Sequence, residues 1–97
     1  MKVEYAPRAT ADLIHIAERS RRVFGDAVAI ALETYIRATI ARIAVITEIG
    51  QRLPKRPEVR AVPLSRYPFK IFYTVIGESI VVLHIRHAAR RPWEGQE

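Results

Sequence analysis

The sequence predicts an α+β fold, in which an N-terminal strand and an antiparallel helical hairpin pack on one face of a mainly antiparallel four-stranded sheet. Three observations predict it. Apolar residues recur at helical spacing through the first half of the chain and at alternating spacing through the second. The largest apolar block, Arg66 to His87, is divided by Gly77-Glu78 in the manner of a β-hairpin. The element order is strand, helix, helix, strand, strand, strand, in one domain over residues 1–97.

Val3 and Tyr5 alternate with Lys2 and Glu4 in a first strand that stops at Ala6-Pro7, where proline suits the first turn of a helix. In that helix Ala9, Leu13, Ile16, Ala17, Ser20 and Phe24 share one face, while Arg8, Asp12, Glu18, Arg19, Arg21 and Arg22 take much of the rest. Gly25 ends it as a C′ residue and Asp26 caps the next helix. The second helix carries a stripe of Val28, Leu32, Tyr35, Ile36, Thr39, Ile43 and Ile46, widened by Ile30, Ile40 and Ala44, and runs to about Thr47 before Gly50. Residues 51–57, with two prolines and three cations, read as an exposed loop. Glu58 to Leu64 follows as a strand, with Pro63 at an edge or a strand end.

In the hairpin, Gly77 as first residue of a two-residue loop fits a type II′ turn. An uninterrupted register then sets Ile76 opposite Ser79, Phe72 opposite Leu83, Ile71 opposite His84, Phe69 opposite Arg86 and Pro68 opposite His87. One face holds Phe69, Ile71, Tyr73, Val75, Ile80, Val82, His84 and Arg86; the other holds Lys70, Phe72, Thr74, Ile76, Val81, Leu83, Ile85 and His87. Both faces are largely apolar, which places the hairpin inside the sheet with helices on one side and a possible partner surface on the other. Residues 94–97 form a polar tail expected to fray.

Composition narrows the classes of function. With 97 residues, 49% of them hydrophobic, one core is feasible without metals or disulfides. The absence of cysteine excludes a disulfide framework, a thiolate nucleophile and cysteine-based zinc sites. His84 and His87, three apart on a strand, splay to opposite faces, so neither a metal nor any other cofactor is expected. The opening residues carry no apolar signal core and no run approaches the roughly 20 residues that span a bilayer, so a cytoplasmic location is expected. The net charge of +6 is concentrated after residue 50, where nine Lys/Arg face four Asp/Glu. Thirteen of the sixteen cations are arginine, whose planar fork suits carboxylate or phosphate. An anionic partner and a basic surface kept for solubility both fit that balance.

Val59-Arg60 opening a strand, the run Arg66-Tyr67-Pro68-Phe69-Lys70-Ile71-Phe72-Tyr73 and the ending Ile85-Arg86-His87-Ala88-Ala89-Arg90-Arg91-Pro92, together with the element order and with Leu13 and Ile16, resemble the RelE/ParE superfamily of bacterial type II toxin–antitoxin modules. The resemblance implies a small basic toxin that arrests growth unless a cognate antitoxin wraps its sheet and helices. It also implies one of two targets: DNA gyrase, inhibited without cutting, or mRNA cleaved on the ribosome.

Ribonuclease chemistry needs a base for the 2′-hydroxyl, cations for the crowded phosphate and an acid for the leaving oxygen. Arg60, Arg66, Lys70, Arg86 and Arg90 are the candidate phosphate ligands, and His87 or His84 the candidate base or acid. RelE-like toxins place a tyrosine or His-Tyr pair near the C-terminus; here Ala88 follows His87 and no tyrosine occurs after Tyr73. His84 reads as a packed sheet histidine before it reads as a base or acid, and Tyr67, Phe69, Phe72 and Tyr73 read as core before they read as base-stacking groups. The basic ending without an acid–base set favours the ParE-like, gyrase-directed branch. Arg60, Arg66, Lys70, Arg86, His87, Arg90, Arg91 and Trp93 are then the residues expected to meet target or antitoxin, with Trp93 either an anchor for the tail or a contact.

Overall fold

In the computed structural model, which describes residues 1–91 and 93–95, β1 (Lys2–Tyr5) leads through Ala6 into α1 (Pro7–Phe24). Pro7 takes the first helical turn, where its missing N–H costs no hydrogen bond. At Gly25 φ is 93° and ψ 171°, a region open in practice only to glycine, and the chain reverses there into α2 (Asp26–Val45). Asp26 does not cap this helix as expected. Gly25 occupies the cap position, and the Asp26 carboxylate instead pairs with Arg21 at 3.2 Å. α2 stops at Val45, short of Thr47.

The sheet has five strands rather than the expected four, in the order β1-β5-β4-β3-β2. The additional one is β2 (Gln51–Arg52), which pairs antiparallel with β3 (Val59–Pro63) inside the stretch read as loop. Two residues are too short to show an alternation, so the prolines dominated the reading. β3 pairs with β4 (Phe69–Ile76), β4 with β5 (Ser79–His87), and β1 runs parallel to β5. The hairpin therefore lies in the sheet interior, and Pro63 closes its strand. Gly77 has φ of 60° while Glu78 after it has a negative φ, which is the signature of the type II′ turn.

The uninterrupted hairpin register holds only near the turn. Ile76 faces Ser79 and Tyr73 faces Val82, but Phe72 faces His84, Ile71 faces Ile85, Lys70 faces Arg86 and Phe69 faces His87. Leu83 is an extra residue, a β-bulge that reverses the alternation of everything after it. Without it His84 and Arg86 would point inward with Val82 while Ile85 faced outward. The bulge sends Ile85 into the core, 3% exposed, and moves Arg86 to the side of Lys70 and Phe72.

One cluster joins Ala9 and Ile16 of α1, Leu32, Ile36, Ile40 and Ile43 of α2, and Val62, Ile71, Tyr73, Ile80, Val82 and Ile85 of the sheet. Burying a side chain of this size fully contributes about 1.5–3 kcal/mol. The helical stripes are narrower than expected. Phe24, Val28, Ile30 and Ile46 are exposed. The turn from α2 to β2 is clamped: the Tyr73 hydroxyl donates to the Thr47 carbonyl (2.8 Å) and accepts from Gly50 N–H (3.0 Å). A Cβ on Gly50 would lie 2.8 Å from the Tyr73 ring, so only glycine permits that approach.

Candidate functional site

The face of the sheet away from the helices carries a cleft of about 390 Å³. Its floor is Phe72, with Ala61, Lys70 and Arg86 beside it, and its walls come from the loop after β2 and the segment after β5. Arg52, Lys55, Lys70, Arg86, Arg90 and Arg91 line it, and Glu94 is the one acidic side chain among the lining residues described. The bulge produces the central pair. Lys70 and Arg86 stand directly opposite each other on β4 and β5, a like-charge cross-strand pair that costs stability. Such a pair is suited to an anionic surface that relieves the repulsion.

The segment after β5 folds back along this cleft. Arg86 donates from Nε and Nη2 to the Arg91 carbonyl at 3.1 and 2.9 Å. The Trp93 ring meets Phe72 edge-on at 4.7 Å between centroids and His84 at 5.2 Å. Lys55 pairs with Glu94 at 3.2 Å, and Arg56 Nη1 donates to the Gly95 carbonyl at 2.5 Å. Pro92, Gln96 and Glu97, which carry the end of the resemblance motif and part of the tail expected to fray, lie outside the described residues.

His84 is buried, 2% exposed, with Phe72 stacked beside it. β1 leaves β5 after Val82, so the next stretch of the β5 edge needs another partner, and α1 supplies it. Asp12 Oδ2 accepts from the Ile85 N–H at 3.0 Å and meets His84 Nδ1 at 2.6 Å. Burial lowers the His84 pKa below its ordinary value, with Arg8 and Arg86 acting in the same direction and Asp12 opposing. Burial thus favours the neutral imidazole. The pKa of Arg86 is also lowered, first by burial and then by the charges of Arg90, Arg8 and Arg91, though a guanidinium stays protonated throughout.

Of the residues expected at the site, Lys70, Arg86, His87, Arg90, Arg91 and Trp93 line this one cleft. His87 sits at its rim, with its ring against Phe69 and its Nδ1 accepting from the Ala89 N–H at 3.1 Å. Arg60 and Arg66 do not join them. Arg60 pairs with Tyr73 on the helix-covered face and donates to the carbonyls of Glu48 (3.1 Å) and Gly50 (2.7 Å), securing the turn before β2. Arg66 lies in the β3–β4 connection near Tyr35, outside the lining of the cleft. Asp12, Arg52 and Lys55 were missed. Arg52 and Lys55 stood within a loop whose return to the sheet rests on the two-residue β2, and Asp12 read as one polar position among several on α1.

A second groove of about 630 Å³ runs between the helical hairpin and the far end of the sheet, lined by Phe24, Val28, Leu32, Tyr67, Phe69 and Ile85 together with Arg19 and Arg90. Among the described residues no helix is long and apolar enough to cross a membrane.

The sequence matches the family model described as the ParE toxin of the type II toxin–antitoxin system parDE over residues 3–92. The fold is similar to the chromosomal ParDE toxin–antitoxin system from P. aeruginosa, at 26% identity and a TM-score of 0.78, covering 90% of this chain and 95% of that one. It is also similar to the isolated E. coli RelE toxin, at 17% identity and a TM-score of 0.62 over 93% of this chain and 86% of that one. For the intact E. coli RelBE toxin–antitoxin complex the values are 18% and 0.61, over 92% and 98%. No curated protein is significantly similar in sequence.

Proposed function

The chain belongs to the ParE toxin family of type II toxin–antitoxin systems, and on that premise we propose that it arrests growth by inhibiting DNA gyrase in the cytoplasm until a cognate antitoxin covers it. The surface offered to gyrase is the Lys70–Arg86 end of the sheet with Arg90, Arg91 and Trp93.

One observation carries the choice of a non-cutting mechanism. The cleft has cations in abundance but no acid–base pair set to work. The buried His84, which does not line the cleft, spends Nδ1 on Asp12 and lies with Nε2 3.4 Å from Arg86, and the Nδ1 of His87 is occupied by the Ala89 N–H. No tyrosine lines it. Removing a 2′-hydroxyl proton needs a group within hydrogen-bond reach that is able to accept it, and beside its cations the described lining offers only His87 and the Glu94 carboxylate, which is paired with Lys55 at 3.2 Å.

The antitoxin fits the second groove by chemistry. An amphipathic segment would bury apolar side chains against Phe24, Val28, Leu32 and Phe69 and set carboxylates toward Arg19 and Arg90.

The test pairs a gyrase supercoiling assay with ribosome-programmed mRNA cleavage, beside growth after expression without antitoxin. The expected outcome is growth arrest, lost supercoiling and intact transcripts. A ribosome-dependent endoribonuclease is the second reading, favoured by the Lys70–Arg86 pair next to His87. Cut transcripts with untouched gyrase would replace the first reading with it, and His87→Ala should then abolish cutting.

A further inference from the structure

Three polar side chains stand in series between α1 and the segment after β5. Asp12 Oδ2 meets His84 Nδ1 at 2.6 Å, His84 Nε2 lies 3.4 Å from Arg86 Nη1, and Arg86 Nε and Nη2 reach the Arg91 carbonyl at 3.1 and 2.9 Å. A carboxylate only accepts, so the imidazole proton sits on Nδ1 and Nε2 keeps its lone pair. That lone pair is what a guanidinium, which only donates, requires. Asp12 thereby sets the tautomer, the tautomer sets one nitrogen of Arg86, and the rigid fork of Arg86 sets the main chain at Arg91. Trp93, two residues on, rests its ring against His84 and Phe72.

From this arrangement we infer that Asp12 and His84 are positioning residues, which fix the guanidinium of Arg86 and lay the arm carrying Arg90, Arg91 and Trp93 along the cleft in the orientation that the proposed toxic contact needs. The inference rests on the functional reading above for the use of the arm. The hold on the arm is independent of it.

Two features give the chain this role instead of a purely stabilising one. His84 is buried and its partners Asp12 and Arg86 are half-buried, and a polar series of this kind is often replaceable by apolar packing without loss of stability, so placement is the role inferred for it. The cations also crowd one another. Arg90, Arg8 and Arg91 each act electrostatically on Arg86, and an Arg86 released from His84 and Arg91 would turn away from these like charges. Around His84 the charged groups are Asp12 and Arg8 from α1 and Arg86 from β5.

Trp93 is the one tryptophan of the sequence, so its emission reports the arm directly. The experiment compares purified wild type with His84→Leu, His84→Gln, Asp12→Ala and Asp12→Asn, with circular dichroism to establish that each is folded. Leucine keeps apolar contact with the two rings but offers neither donor nor acceptor; glutamine offers both. In Asp12→Asn the amide oxygen still accepts, and in Asp12→Ala nothing does. Folded His84→Leu and Asp12→Ala should shift Trp93 emission to the red, raise acrylamide quenching about twofold as the arm opens, and weaken growth arrest. His84→Gln and Asp12→Asn should restore both readouts toward wild type. Unchanged emission and quenching in folded His84→Leu and Asp12→Ala would overturn the inference, and so would an opened arm with undiminished growth arrest. A wild type that leaves gyrase untouched would remove the target proposed above and not the arm's tether, which Trp93 and growth arrest still decide.

Discussion

The two halves of the β4–β5 hairpin, on either side of Leu83, do different work with the same backbone. Toward the turn, Tyr73 faces Val82 and Val75 faces Ile80 in strict alternation, and Tyr73, Ile80 and Val82 are fully buried. Away from the turn, Lys70 faces Arg86 and Phe72 faces His84, and the outer face carries charge and aromatic surface. The first half contributes burial; the second accepts like-charge repulsion and a buried histidine. One inserted residue lets both exist on a continuous pair of strands, because the bulge changes which side chains face the helices without breaking the sheet.

Inserting one residue between Phe72 and Tyr73, opposite Leu83, should have the largest effect. The inserted residue would pair with Leu83 and abolish the bulge, turning Arg86 toward the helices and Ile85 away from them, and an unpaired buried charge costs several kcal/mol, so the variant should fail to fold cooperatively in urea. An insertion variant with wild-type stability would break the division at the bulge. Next, Ile80→Ala in the buried half should lower the unfolding free energy by about 2–5 kcal/mol, whereas Lys70→Ala in the charged half should change it by no more than about 0.5 kcal/mol while weakening growth arrest. Comparable stability losses from both would erase the contrast. The smallest effect is one of pH. Because burial lowers the folded-state pKa of His84, its contribution to stability is complete above the unfolded value of about 6.5 and is lost as the pH falls through the lowered folded-state value. His84→Gln should flatten that part of the stability-against-pH curve measured by denaturant titration.

The helices, the hairpin and the type II′ turn were legible because each rests on a local rule: apolar period, Pro7 at a helix start, Gly77 in a two-residue loop. The bulge was not. Leu83 is one apolar residue among Ile80, Val81 and Val82, and only the choice between burying Ile85 and burying Arg86 exposes it, a choice that depends on which face the helices cover. For the same reason Arg60 and Arg86 looked alike, although one is spent on the Glu48 and Gly50 carbonyls and the other faces the cleft. Asp12 carried no signal at all, since its task is set by where β1 stops along β5, a tertiary fact. Arg52 and Lys55 come to the cleft only because Gln51-Arg52 pairs with β3 and brings the following loop over the sheet.

β1 has its register with β5 and with no other strand, Lys2 beside Ser79 and Tyr5 beside Val82. Contacts of such long sequence separation are costly to close and tend to slow folding. The edge that Asp12 completes begins where that pairing ends, so Asp12, His84 and Arg86 come into line only after strands from the two ends of the sequence have met. During synthesis the helical hairpin can form early, but the cationic cleft is assembled last. A nascent chain thus lacks the cleft until β5 has emerged.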